Sequence, residues 1–147
     1  MSVINMVENI KKVHPSVIIF YEIGTFYYTY GKDAYIISYM FDYKLRKVNN
    51  SNIESSAFPK KYISKIKTKI EKNKIDYILI DVRNNYEVFE KDENGNLNNY
   101  DKIYEKAHYY VKCKKRIQLI GEKLLTKIEE INFKEKIKRI ENIINEN

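Results

Sequence analysis

Two short apolar runs constrain the fold more than anything else in the sequence. Val17-Ile18-Ile19-Phe20-Tyr21-Glu22 and Ile75-Asp76-Tyr77-Ile78-Leu79-Ile80-Asp81-Val82 are rich in β-branched and aromatic residues, the signature of buried strands. The second is the best strand in the chain. Around them, apolar residues recur at helical spacing. Val3, Val7 and Ile10 form one such stripe, and His14-Pro15 closes it, because the residue before a proline is pushed out of the helical region. Gly24 allows a turn, after which Thr25-Phe26-Tyr27-Tyr28-Thr29-Tyr30 is another run of strong strand formers. Asp33 to Phe41 reads as a helix with Ala34, Ile37 and Phe41 on one side, and Tyr43-Lys44-Leu45-Arg46 alternates as a half-exposed strand would. Strands mingled with helices predict an α/β (α+β) fold, a mixed β-sheet flanked by helices.

The same pattern continues past a loop at Asn49-Asn50-Ser51-Asn52. Pro59 occupies a first-turn position ahead of a helix from Lys60 to about Lys72, with Tyr62, Ile63, Ile66 and Ile70 as its buried stripe. Lys61, Lys65, Lys69 and Lys72 repeat on another face. Tyr86 to Phe89 reads as a strand, and Asp92-Glu93-Asn94-Gly95 as a turn. From Asp101 onward there is no proline and one glycine. Ile103, Ala107, Tyr110, Ile117, Leu124, Ile128 and Ile131 keep a heptad-like rhythm there. Asn132 with Glu135 forms a candidate capping pair for a last helix, whose inner face is Phe133, Ile137, Ile140 and Ile144. The predicted division is an α/β module over 1–98 and a helical extension over 99–147, with a long helix about 100–131 and a shorter one about 133–145.

Composition excludes several classes. At 147 residues the chain is one domain's worth, and 14 Tyr with 6 Phe are too many aromatics for disorder. Lys and Arg number 27 against 20 acids, a net +7 that favours anionic partners. The single cysteine, Cys113, makes neither a disulfide nor a zinc site, and His14 and His108 sit in no ligand spacing. Glycines at 24, 31, 95 and 121 cannot build a P-loop. Asp76 and Asp81, five apart on one strand, face opposite sides. The sequence is therefore expected to be no enzyme, to carry no metal or cofactor, and to lack a signal peptide or membrane span. A cytoplasmic setting is the expectation.

The residues alone leave several choices open. Phe26 lies among Phe20, Tyr21, Tyr27 and Tyr30, so it reads either as core or as an outward ring. A strand puts it on one face with Tyr28, and Tyr27 on the other. Seven lysines against one acid between Lys60 and Lys74, a balance of 7 − 1 = +6, read as a solvated face or as phosphate contacts. Lys112, Lys114, Lys115 and Arg116 could meet phosphate or the acids of a partner. The heptad-like stripe packs within the chain or forms a dimer seam.

The stretch HPSVIIFYEIGTFYYTYGKDA, His14 to Ala34, resembles the opening of the N-terminal mismatch-recognition domain of MutS-type DNA mismatch repair proteins. Phe20-Tyr21, Ile23-Gly24, Phe26-Tyr27 and Lys32-Asp33-Ala34 stand in that family's order and spacing. Ser56-Ala57-Phe58-Pro59, followed by a helix and a β-run, is similar to the family's Ala-Gly-Val-Pro block. Together the two blocks cover roughly residues 5 to 90.

The resemblance implies duplex DNA binding by a mixed α/β domain. In that family a Phe-x-Glu element wedges its phenylalanine into the minor groove beside a mispair. Phe26 takes the phenylalanine position, and Tyr28 stands where the glutamate would be. The candidate interface carried over is Phe26, Tyr28, Arg46, Phe58, Pro59, Lys60, Lys61 and Lys65. The implied partner is duplex DNA or an RNA–DNA hybrid. Family repair proteins continue into connector, clamp and ATPase domains, which this sequence does not show. Stand-alone proteins of this kind are associated with diversity-generating retroelements, as accessories to a reverse transcriptase. Docking of a polymerase or a second copy through the C-terminal helices is the competing expectation.

Overall fold

A computed structural model describes residues 2–95 and 97–146. The chain divides into two compact units, Met1–Val111 and Lys112–Asn147. The first contains α1 (Val3–Val13), β1 (Ile18–Ile23), β2 (Phe26–Tyr30), α2 (Lys32–Phe41), β3 (Arg46–Lys47), β4 (Glu54–Pro59), a 3-10 turn (Lys60–Tyr62), α3 (Ile63–Lys72), β5 (Tyr77–Asp81) and β6 (Glu87–Asp92). Helix α4 (Leu97–Leu125) begins in the first unit and ends in the second, which also holds α5 (Phe133–Ile144).

The six strands form one mixed sheet in the order β3-β4-β2-β1-β5-β6. Only β1 and β5 run parallel; every other neighbouring pair is antiparallel. The two apolar runs thus lie side by side at the centre, with Ile18 opposite Tyr77 and Glu22 opposite Asp81. Burial on both faces explains their near-continuous hydrophobicity. A two-residue turn joins β1 to β2, and Gly24 adopts φ +64° there, a conformation that costs glycine little.

The sheet has two unequal faces. On one, Ile18, Phe20, Tyr27, Phe58, Tyr77 and Leu79 pack against α2, α3 and the start of α4. On the other, Ile19, Tyr21, Ile78 and Ile80 pack with Val7 of α1, while Tyr28 and Tyr30 are only partly buried. Asp33 ties the layers together. Its carboxylate accepts from Lys11 Nζ (2.7 Å), the Tyr100 hydroxyl (2.5 Å) and the Ile19 amide (3.1 Å). That network joins α1, β1, α2 and α4 through one buried side chain.

Several expectations need correction. Arg46 belongs to a strand of only two residues, not the end of a four-residue one. The segment Glu54–Pro59 is a strand pairing with β2, which its small polar residues did not suggest. The lysine helix opens as a 3-10 turn, and Tyr62 is 41% exposed rather than part of the buried stripe. The first compact unit continues to Val111 instead of ending near 98, because Tyr100, Ala107 and Val111 of α4 enter its core. Helix α4 stops at Leu125, so Ile128 and Ile131 lie beyond it. Asn132 precedes α5 without a side-chain cap.

In the second unit, Leu124, Phe133, Ile137 and Ile140 are half-buried, and no described residue is fully buried. Glu130 accepts from Lys136 Nζ at 2.7 Å and lies 3.5 Å from Lys127 Nζ. The Lys136 hydrogen bond, helped by Lys127, holds the Glu130 carboxyl below its ordinary range.

Candidate nucleic-acid interface

The β1–β2 turn presents Phe26 to solvent. Phe26 is 39% exposed and its neighbour Tyr27 only 4%, as strand alternation requires. Phe26 lies opposite Ile23 on one side and Pro59 on the other. Its ring tilts against Tyr28 at 6.5 Å, and Tyr28 stacks on Tyr30 at 6.4 Å. Three aromatic side chains therefore form a row along one face of β2.

Two backbone and side-chain links bring basic residues to this turn. The Lys60 amide donates to the Thr25 carbonyl (3.0 Å), anchoring the 3-10 turn beside Phe26. Lys60 Nζ also pairs with the Glu22 carboxylate. Gly24, Thr25, Phe26, Pro59, Lys60 and Lys61 line one shallow cavity of about 430 Å3. The hydroxyl of Tyr27 donates to Glu22 at 3.0 Å; burial first, then this bond, pushes its pKa up. Burial with the Tyr28 and Tyr86 hydroxyls nearby pushes Tyr30 up to about 12. These phenols stay neutral at physiological pH and act as apolar surfaces with a donor at the tip.

Of the eight candidate residues, the fold gathers Phe26, Pro59, Lys60 and Lys61 around that cavity, with Tyr28 next in the row. Phe58 is a correction. Strand alternation turns it to the helix-covered face, where it is fully buried against Phe20, Tyr27 and Tyr43, out of reach of any ligand. Arg46 is exposed on the edge strand, opposite Ser55, which in turn pairs with Tyr30. Lys65 lines a different cavity, between α2 and α3. Lys60 is neutralised by Glu22, which leaves Lys61 as the cation of this group without an acidic partner among the described residues.

One residue escaped the sequence reading. Parallel pairing of β1 with β5 sets Glu22 opposite Asp81, so the loop after β5 arrives beside the β1–β2 turn. Arg83 Nη2 lies 3.7 Å from where a side chain at Gly24 would begin. Asp81 Oδ1 shapes that loop by accepting from the amides of Arg83 (2.9 Å) and Asn84 (3.3 Å). A lone arginine after a strand carries no local signal. Only the pairing of strands sixty residues apart exposes it.

The family model for MutS domain I matches residues 1–73. Residues 1–73 thus belong to the MutS domain I family. At the level of that family, the domain implies recognition of mismatched DNA. No curated protein matches the sequence. The MutS domain I match covers β1, β2, α2, β4 and α3, and so includes Phe26 and the lysine-bearing turn. Among the described residues no helix is long and apolar enough to cross a membrane.

Proposed function

We propose that this protein is a non-enzymatic binding module that recognises mispaired or distorted duplex by shape, with Phe26 as an aromatic wedge. The observation that carries the reading is the exposure of Phe26 at a tight turn flanked by Pro59, Lys61 and Arg83. An apolar ring inserted at a base step costs a few kcal/mol of unstacking, and least where pairing is already poor. The cations supply the sequence-independent part of binding through the phosphates. Tyr28, in place of the family's glutamate, offers a hydroxyl donor where a carboxylate would accept. Selectivity then rests on deformability more than on hydrogen bonds to the mispaired base.

The test is duplex binding measured over a series of salt concentrations. Affinity should fall with a log–log slope of about −0.9 for each phosphate neutralised. Phe26→Ala should remove any preference for a mismatched over a matched duplex while the salt-sensitive binding remains. Equal affinity of the wild-type protein for matched and mismatched duplexes, across several mispairs, overturns the wedge.

The reading extends to a setting in the cytoplasm, as an accessory to the reverse transcriptase of a diversity-generating retroelement. Its support is the resemblance together with the basic charge. A second reading has its own observation. Ile117, Leu125, Ile128, Ile131 and Ile144 are all more than half exposed, which favours an adaptor that docks a polymerase or another copy through residues 112–146. Light scattering that finds a monomer at high concentration, together with no capture of a reverse transcriptase, argues against it.

A further inference from the structure

A second cavity, of about 610 Å3, opens between the end of α2 and the outer face of α3. Four aromatic side chains line it: Tyr39, Phe41, Tyr43 and Tyr62. Three of them are held from another side. Tyr43 stacks on the buried Phe58 (5.4 Å), Tyr39 packs edge-on against Tyr110 (5.3 Å), and Lys69 Nζ sits 5.0 Å from the Phe41 ring. Tyr43 and Tyr62 both line the cleft, and burial, then the neighbouring Tyr62 hydroxyl, pushes the Tyr43 phenol's pKa up.

Helix α3 supplies the charge. Ile66 and Ile70 turn into the core, which leaves Lys65, Lys69 and Lys72 along the cleft wall. From Lys65 to Lys72 the row spans roughly 10 Å at the helical rise. Lys69 donates to the Met40 carbonyl at 2.8 Å. Lys65 and Lys72 have no ion-pair or hydrogen-bond partner among the described residues. Lys67, on a different side of the same helix, is paired with Glu90 at 2.5 Å. One carboxylate, Asp42, lines the cleft with the three ammonium groups.

We propose that this cleft binds an unpaired strand of nucleic acid, its bases stacked on the tyrosines and its phosphates following the lysine row. The inference rests on the nucleic-acid reading above and adds a site to it. A line of cations with few acids suits a linear polyanion, and rings that flank it give every base a stacking surface. A duplex, whose bases already stack on one another, cannot use those rings. Lys61 Nζ lies 5.0 Å from the Tyr62 ring, so the basic residues beside Phe26 lead directly into the cleft.

The experiment measures fluorescence anisotropy of labelled ten-nucleotide dT and rU oligonucleotides, with a mismatched duplex alongside, all on the full chain. The wild-type protein should bind at least one oligonucleotide; whichever binds tighter identifies the backbone the cleft takes. Tyr62→Ala should weaken that binding about tenfold, and Lys72→Ala should reduce its salt slope by about 0.7. Both side chains are exposed, and circular dichroism checks that each variant folds. Oligonucleotide binding that neither substitution alters overturns the cleft. So does duplex binding with no oligonucleotide binding, which leaves the wedge reading standing. Failure to bind either kind of probe overturns both readings.

Discussion

Residues 1–111 and 112–147 both carry apolar side chains and dispose of them in opposite ways. The first unit closes a core on both faces of its sheet, around fully buried residues such as Phe20, Phe58, Ile70 and Tyr100. It also holds all 14 tyrosines of the chain. The second unit holds no tyrosine and no fully buried residue among those described, and Ile131 is fully exposed. The contrast follows from geometry. A sheet offers two broad faces that helices cover, whereas the helical segments of the second unit leave Ile117, Leu125, Ile143 and Ile144 largely in water. The candidate recognition residues of the first unit, Phe26 and Tyr28 among them, therefore stand on a packed scaffold. The second unit's surface is apolar area still without a cover.

The largest expected difference between the units is alkaline. Burial pushes Tyr30 and Tyr35 up to about 12, and holds Tyr21, Tyr27, Tyr77 and Tyr100 higher still. A phenol whose folded pKa is raised stabilises the fold fully below pH 10, where the unfolded chain is still protonated. That contribution is lost as pH rises through the folded values. Tyrosinate absorbance should accordingly appear in a cooperative step well above pH 10, with loss of the first unit. Smooth ionisation of all the tyrosines near pH 10 would erase the contrast.

Two core substitutions come next. Phe58→Ala should cost about 3–5 kcal/mol, the usual range for a buried phenylalanine, read by urea denaturation with tyrosine fluorescence as the probe. Asp33→Ala removes the acceptor shared by Lys11, the Tyr100 hydroxyl and the Ile19 amide, while Lys11 still donates to the Val17 carbonyl at 2.6 Å. Because the Lys11 side chain keeps 24% exposure, the cost should fall at the low end for a broken buried pair, about 3 kcal/mol. A loss below 1 kcal/mol in the same assay would mean that Asp33 does not hold the layers together. The smallest effect belongs to the second unit. Ile131→Ala should change thermal stability by no more than about 0.5 kcal/mol at low protein concentration. A larger loss that grows with protein concentration would show that this isoleucine is covered in an oligomer.

Much of this was legible in the chain. The central strands announced themselves because both faces are buried, which makes their sequences apolar at every step. The β1–β2 hairpin followed from Gly24 between two strand-forming runs, and the outward phase of Phe26 from the period of two once Tyr27 is turned inward. Other features left no local trace. Glu54 to Pro59 pairs through its backbone, so Ser55, Ser56 and Ala57 needed no strand-like side chains. Heptad spacing in α4 gave no hint that Tyr100 and Ala107 would be buried while Ile117 would not, since periodicity marks a stripe without saying what lies opposite.

The sequence by itself determined the mixed α/β architecture, the kinship of its N-terminal part and the aromatic at the turn, because these depend on residue type at short spacing. Tertiary structure alone decided which residues make up the candidate binding surface. It buried Phe58, engaged Lys60 with Glu22, carried Lys65 to the α2–α3 cleft and delivered Arg83 beside Gly24. The reason is that a charge or a ring acquires its role from what packs against it, and those neighbours come from distant parts of the chain through strand pairing and helix packing.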